Sequence, residues 1–180
     1  DDCGPSQREP YVRVKFFNID SLIKTETRIS FLQDSLAVIN ELILNGDTTL
    51  LDTRNELEGE IDQLGEVIET INEGRIRIGE VFGGDGQGPL LFRDSVNNDS
   101  LTVFKFPLDM NRDESVFNIH INDRVDELGL RYRRENIESG DLILLEVSGL
   151  ELISTTYDSV KIRCNGAECI SNETDINIYF

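Results

Sequence analysis

Two apolar stripes facing each other across the turn Asn45-Gly46-Asp47 constrain this chain's fold more tightly than any other feature. Ile29, Leu32, Leu36, Ile39 and Ile43 recur at alternating spacings of three and four, and Leu57, Ile61, Leu64, Ile68 and Ile71 repeat the pattern after the turn. Such spacing lines each set along one side of a helix. Two stripes joined by so short a turn bury only against each other. The pattern predicts an antiparallel, coiled-coil-like helical hairpin over residues 20–74. Asp20 or Ser21 is placed to cap the first helix, which runs to about Leu44. The second starts near Thr48 or Thr49 and frays toward Gly74. Gly59 and Gly65 inside it each cost up to about 1 kcal/mol relative to alanine, so this helix depends on packing against its partner.

Outside the hairpin the period changes to two. Tyr11–Ile19 alternates Val12, Val14 and Phe16 with Arg13 and Lys15, the pattern of a half-buried strand. From Arg75, Ile76, Ile78 and Val81 suggest a strand leaving the hairpin. Further strands are expected at Leu101–Leu108, Ser115–Asn122, Leu128–Arg134, Leu142–Ser148, Ser159–Cys164 and Asp175–Phe180. Short strands with polar breaks at this spacing argue for an antiparallel sandwich or an open barrel. The expected class is α+β: residues 1–10 as a tether, 11–19 and 75–180 as the β domain, and 20–74 inserted as the hairpin. Gly83–Gly88 is glycine-rich but matches neither a dinucleotide fingerprint nor a phosphate loop, and reads as a flexible connection.

Charge narrows the partners. The chain carries a formal −18, and residues 20–74 hold 13 Asp and Glu against 3 Lys and Arg, more than half of the excess. Nucleic acid is not an expected partner, because phosphate recognition needs clustered Lys and Arg. No run of apolar residues is long enough to span a bilayer as a helix. Cys164 and Cys169 flank Asn-Gly-Ala-Glu in a segment that reads as a hairpin turn, where cross-strand geometry favours a disulfide. Two cysteines without a second pair make a poor zinc site. Cys3 is then left over. A disulfide, with no apolar leader, points outside the cytoplasm.

Chemistry finds little support. His120, the only histidine, alternates with Phe117, Ile119 and Ile121, which sets it with Asn118 and Asn122 on the opposite, solvated face. A lone His with no motif around a Ser or Cys does not make a hydrolase, and no cofactor is implied. Asp109, Asn111 and Asp113 have the alternate spacing that opens many calcium loops. Glu114 stands where such a loop turns on glycine, and His120 where it closes on glutamate, so a solvated acidic turn is the reading. Asn98-Asp-Ser100 and Asn172-Glu-Thr174 match the glycosylation tripeptide. The hairpin tip is the sharper feature. Leu42, Ile43 and Leu44 before the turn and Leu50 and Leu51 after it exceed what a two-helix seam can bury; the remainder either packs into the tip itself or forms an exposed apolar patch, which marks a contact with protein or membrane.

Phe106-Pro-Leu-Asp109, Leu130–Glu135, Thr155–Val160 and Ile176–Phe180, together with the strand Tyr11–Ile19, resemble small β-rich outer-membrane lipoproteins of Bacteroidota, over about half of the chain. The resemblance implies a lipid anchor on a Cys just upstream of residue 1, with Asp1-Asp2 as the acidic residues that favour export to the cell surface. Asp2 at the cleavage position makes Cys3 itself a poor anchor. The expectation is a non-enzymatic, lipid-anchored accessory subunit on the periplasmic or cell-surface side of the outer membrane, touching a membrane β-barrel or another envelope protein through the hairpin. The alternative is a carbohydrate- or small-ligand-binding module, disfavoured by the absence of Trp and the presence of only 4 Tyr.

Overall fold

In strand β1 (Tyr11–Phe17), Val12, Val14 and Phe16 are buried while Arg13, Lys15 and Phe17 stay partly exposed, so the sequence alternation becomes an inner and an outer face. The computed structural model describes residues 10–83, 90–92, 101–139 and 142–180. After β1 come helices α1 (Ile19–Leu44) and α2 (Leu51–Asn72), joined through a single 3₁₀ turn at Thr48–Leu50. Then follow β2 (Val81–Gly83), β3 (Leu90–Phe92), β4 (Phe104–Pro107), β5 (Glu114–Ile121), β6 (Arg124–Ser139), β7 (Leu142–Thr155), β8 (Ser159–Arg163) and β9 (Asp175–Tyr179). The chain divides into two compact units, Asn18–Gly74 forming one and the strands before and after it the other.

The β unit is a sandwich of a four-stranded sheet in the order β4-β1-β9-β8 and a five-stranded sheet in the order β3-β2-β5-β6-β7. Side chains from both inner faces share one core, in which the rings of Phe106 and Phe117 lie 5.2 Å apart between the layers. A sandwich of two separate sheets forms, and not the open barrel. Every pairing between named strands is antiparallel but one: β9 runs parallel to β1, Val14 opposite Ile176 and Phe16 opposite Ile178. The last strand thus enters the sheet beside the first.

Several boundaries shift from their sequence reading. The strand from Arg75 begins only at Val81; Ile76 forms an isolated bridge with Leu101, and the strand expected at Leu101 starts at Phe104. Strand β6 has 16 residues and β7 has 14, longer than the expected segments. β5 pairs with β6 as far as Arg131, and β6 and β7 continue beyond it to Ser139 and Leu142 as a two-stranded ribbon. Gly149 keeps β7 going where the period predicts an end. Its φ of +64° goes with a register shift at Arg131 and Arg133, a bulge that glycine fits because that left-handed backbone strains any residue with a Cβ. Asn122 leaves the strand as well, turning the chain at φ +53° between Ile121 and Arg124.

The hairpin unit follows its stripes. Leu32 is buried, and the other nine stripe residues are half-buried, because each helix covers its partner's seam from one side only. Asn18, and neither Asp20 nor Ser21, caps α1: its Oδ1 accepts the Ser21 N–H at 2.9 Å. The cap moves upstream because β1 ends at Phe17, opposite Tyr179. Arg28 of α1 donates to Glu60 of α2 at 3.0 and 2.8 Å, an exposed pair worth at most about 1 kcal/mol. A Cβ added at Gly59 or Gly65 would meet nothing within 4 Å. The double variant Gly59→Ala with Gly65→Ala should therefore stabilise the hairpin by about 2 kcal/mol. Thermal unfolding of the full chain followed by helical circular dichroism checks this, and an unchanged or lower midpoint would sink it.

Candidate functional site

The hairpin tip is built by its own backbone. Asn45 and Gly46 N–H groups return to Glu41 and Ile43, Asp47 N–H bonds Leu42, and Gly46 takes φ +104°. Asp47 Oδ1 then accepts the Thr49 N–H at 3.1 Å and its hydroxyl at 2.6 Å, starting the turn into α2. Ile43 and Leu50 are half-buried, while Leu42, Leu51 and above all Leu44, 87% exposed, face solvent. The five aliphatics therefore divide, and three of them are exposed. Ile23, Phe31 and Val38 on α1 and Val67 on α2 are exposed too. Phe31, Val38 and Leu42 follow each other at seven and four along α1, a second stripe away from the seam that sequence reading passed over. The spacing itself was the available signal.

The other candidates have structural employment. Cys164 and Cys169 form a disulfide with Cα atoms 4.8 Å apart; a loop of this size contributes about 2 kcal/mol in the chain-entropy picture. His120 is half-buried, its ring 5.5 Å from that of Phe82 on the neighbouring strand. The Asp109–Asp113 turn is strapped down by β6. Tyr132 donates its hydroxyl to the Asp109 carbonyl at 2.9 Å and shares a 2.7 Å bond with Ser115. Arg134 reaches Asp113 and the Met110 carbonyl, each at 2.7 Å, and Asp109 Oδ1 accepts from the Asn111 N–H at 2.8 Å. Asp109, Asn111 and Asp113 are thus parts of a turn held by guanidinium and backbone donors. Among the described residues no group of three or more His, Cys, Asp or Glu is placed to hold a metal ion.

Asn172 Oδ1 accepts the Tyr11 N–H and Thr174 is fully buried, so this tripeptide anchors the start of β1. Asn98–Ser100, Gly84–Gly88 of the glycine-rich stretch, Cys3 and Asp1-Asp2 lie outside the described residues.

Fold and surfaces together define an α+β protein: a β-sandwich with an inserted helical hairpin that ends in an exposed aliphatic tip. No protein-family model, curated protein or solved structure matches the chain. No helix among the described residues is long and apolar enough to cross a membrane.

Proposed function

We propose that this chain is a non-enzymatic accessory subunit of an outer-membrane protein complex, lipid-anchored ahead of residue 1, whose hairpin tip docks onto a membrane β-barrel or another envelope protein. The observation that carries this reading is Leu44, 87% exposed and flanked by the exposed Leu42 and Leu51 at the end of a 26-residue helix. An exposed patch of large aliphatics gains by contact with an apolar surface. The outer-membrane setting rests on the sequence resemblance.

Leu44→Asp combined with Leu51→Asp tests the tip. Both side chains point to solvent, so the hairpin should keep its helicity. Burying two leucines stabilises a complex by about 3–6 kcal/mol, so recovery of the partner from solubilised membranes should fall by about 100-fold or more. Recovery equal to that of the wild type would overturn tip docking.

A further inference from the structure

The outer face of the four-stranded sheet has the opposite character to the rest of the chain. Arg13 and Lys15 of β1, Lys105 of β4, and Lys161 and Arg163 of β8 all point away from the core, against a single carboxylate on these strands, Asp175. Asp175 pairs with Arg13 at 2.6 Å and Lys15 at 3.5 Å. Lys105, Lys161 and Arg163 are exposed. Beneath the charges lies an aromatic layer: the Lys105 ammonium sits 4.8 Å from the Tyr11 ring centre, that of Lys161 5.4 Å from the Tyr179 ring, and Tyr179 stacks on Phe17 at 5.2 Å. Asn177, 8% exposed between Lys15 and Lys161, has a side-chain oxygen that meets no protein donor among the described residues. An occupant of this face brings negative charge and hydrogen-bond donors.

One surface of this same chain carries both. On α2 the seam residues Leu57, Ile61, Leu64 and Ile68 define one side, and Asp52, Glu56, Asp62, Glu66 and Glu69 are exposed on the other, with the Asn55 and Gln63 amides among them. Glu69 lies in the last turn, which has no basic residue, so the helix dipole opposes its charge; an external cation relieves that cost. At about 1.5 Å per residue the ridge runs about 25 Å, and strands of five to seven residues at about 3.3 Å make the basic face about 17–23 Å long.

We infer that the α2 ridge of one copy docks on the basic sheet face of a second copy, a head-to-tail contact. Overall repulsion between two acidic chains does not forbid it: at physiological salt charges beyond about 8 Å are screened, so the local match decides. A face about 15 Å wide buries well under 1,000 Å² in total, which makes the contact weak and reversible.

Sedimentation velocity of the full chain, from about 10 to 500 μM at physiological salt, should show concentration-dependent association that disappears in 1 M salt, where the screening length is about 3 Å. Lys105→Glu/Lys161→Glu/Arg163→Glu and Asp62→Lys/Glu66→Lys/Glu69→Lys should each abolish self-association, and mixing the two variants should restore it between them. The tip variant Leu44→Asp/Leu51→Asp should associate like the wild type, which separates this contact from partner docking. A wild-type chain that stays monomeric overturns the inference, including one that instead binds anionic lipid vesicles through the same lysines. Association that survives high salt, or that the mixed variants fail to restore, overturns it too.

Discussion

Phe16→Ala should lower the stability of the sandwich by about 3–5 kcal/mol. Phe16 is 1% exposed on β1, which lies between β4 and β9. Its ring meets Phe104 edge-on at 5.7 Å, Phe106 at 6.4 Å and Tyr157 at 6.2 Å. Truncation removes the transfer energy of the ring and opens a cavity that three rigid neighbours on one strand and a loop cannot close. Against a total of about 5–15 kcal/mol, such a loss is a fifth or more of the margin that keeps a domain folded. Denaturant unfolding of the full chain measures it. A loss below about 1 kcal/mol would mean that the core does not close around this ring.

Alkaline pH should unfold the same unit steeply, and Tyr157 should be the main reason. Its hydroxyl is buried without a protein hydrogen-bond partner among the described residues, and its ring lies 6.1 Å from that of Phe180. Burial pushes its pKa well above the ordinary value of 10.0; the nearby Asp126 carboxylate adds to the rise, and Arg124, 6.0 Å from the ring centre, opposes it. Tyr132 is raised as well, first by burial and only partly offset by its bond to Ser115. In the folded chain both tyrosines hold their protons at a pH where the unfolded chain has lost them. Stability from this source is fully present below about pH 10 and is lost as pH climbs through the folded values. The slope from Tyr157 is about 1.4 kcal/mol per pH unit above pH 10. Tyr157→Phe should cost little at pH 7, since no protein hydrogen bond is broken, and should remove the larger part of the loss seen as pH rises above about 10. Denaturant midpoints measured across that range decide it; equal slopes for the wild type and the variant would rule Tyr157 out.

The hairpin was legible because its information is local. Positions three and four apart meet on a helix whatever surrounds them, so Ile29–Ile43 and Leu57–Ile71 announce the seam without any knowledge of the rest of the fold. Strand alternation at Tyr11–Phe17 and Asp175–Tyr179 was legible for the same reason. The cap was not: Ser21 and Asp20 have the right chemistry, yet Asn18 does the work, because pairing with β9 fixes where β1 stops. The bulge at Gly149 and the long β6–β7 ribbon were also hidden, since a glycine inside a strand pattern reads equally as an end or as a kink.

By itself, then, the sequence determined the elements of this protein, the facing stripes of the hairpin, the aliphatic tip and the proximity of Cys164 to Cys169. Tertiary structure alone decided which elements are neighbours. It set β9 parallel beside β1, strapped the Asp109–Asp113 turn under Arg134, and gathered Arg13, Lys15, Lys105, Lys161 and Arg163 onto one face. Those five cations come from three separated segments of an acidic chain. No local window contains them, because strand partners are chosen by register between distant residues and by the core they jointly bury.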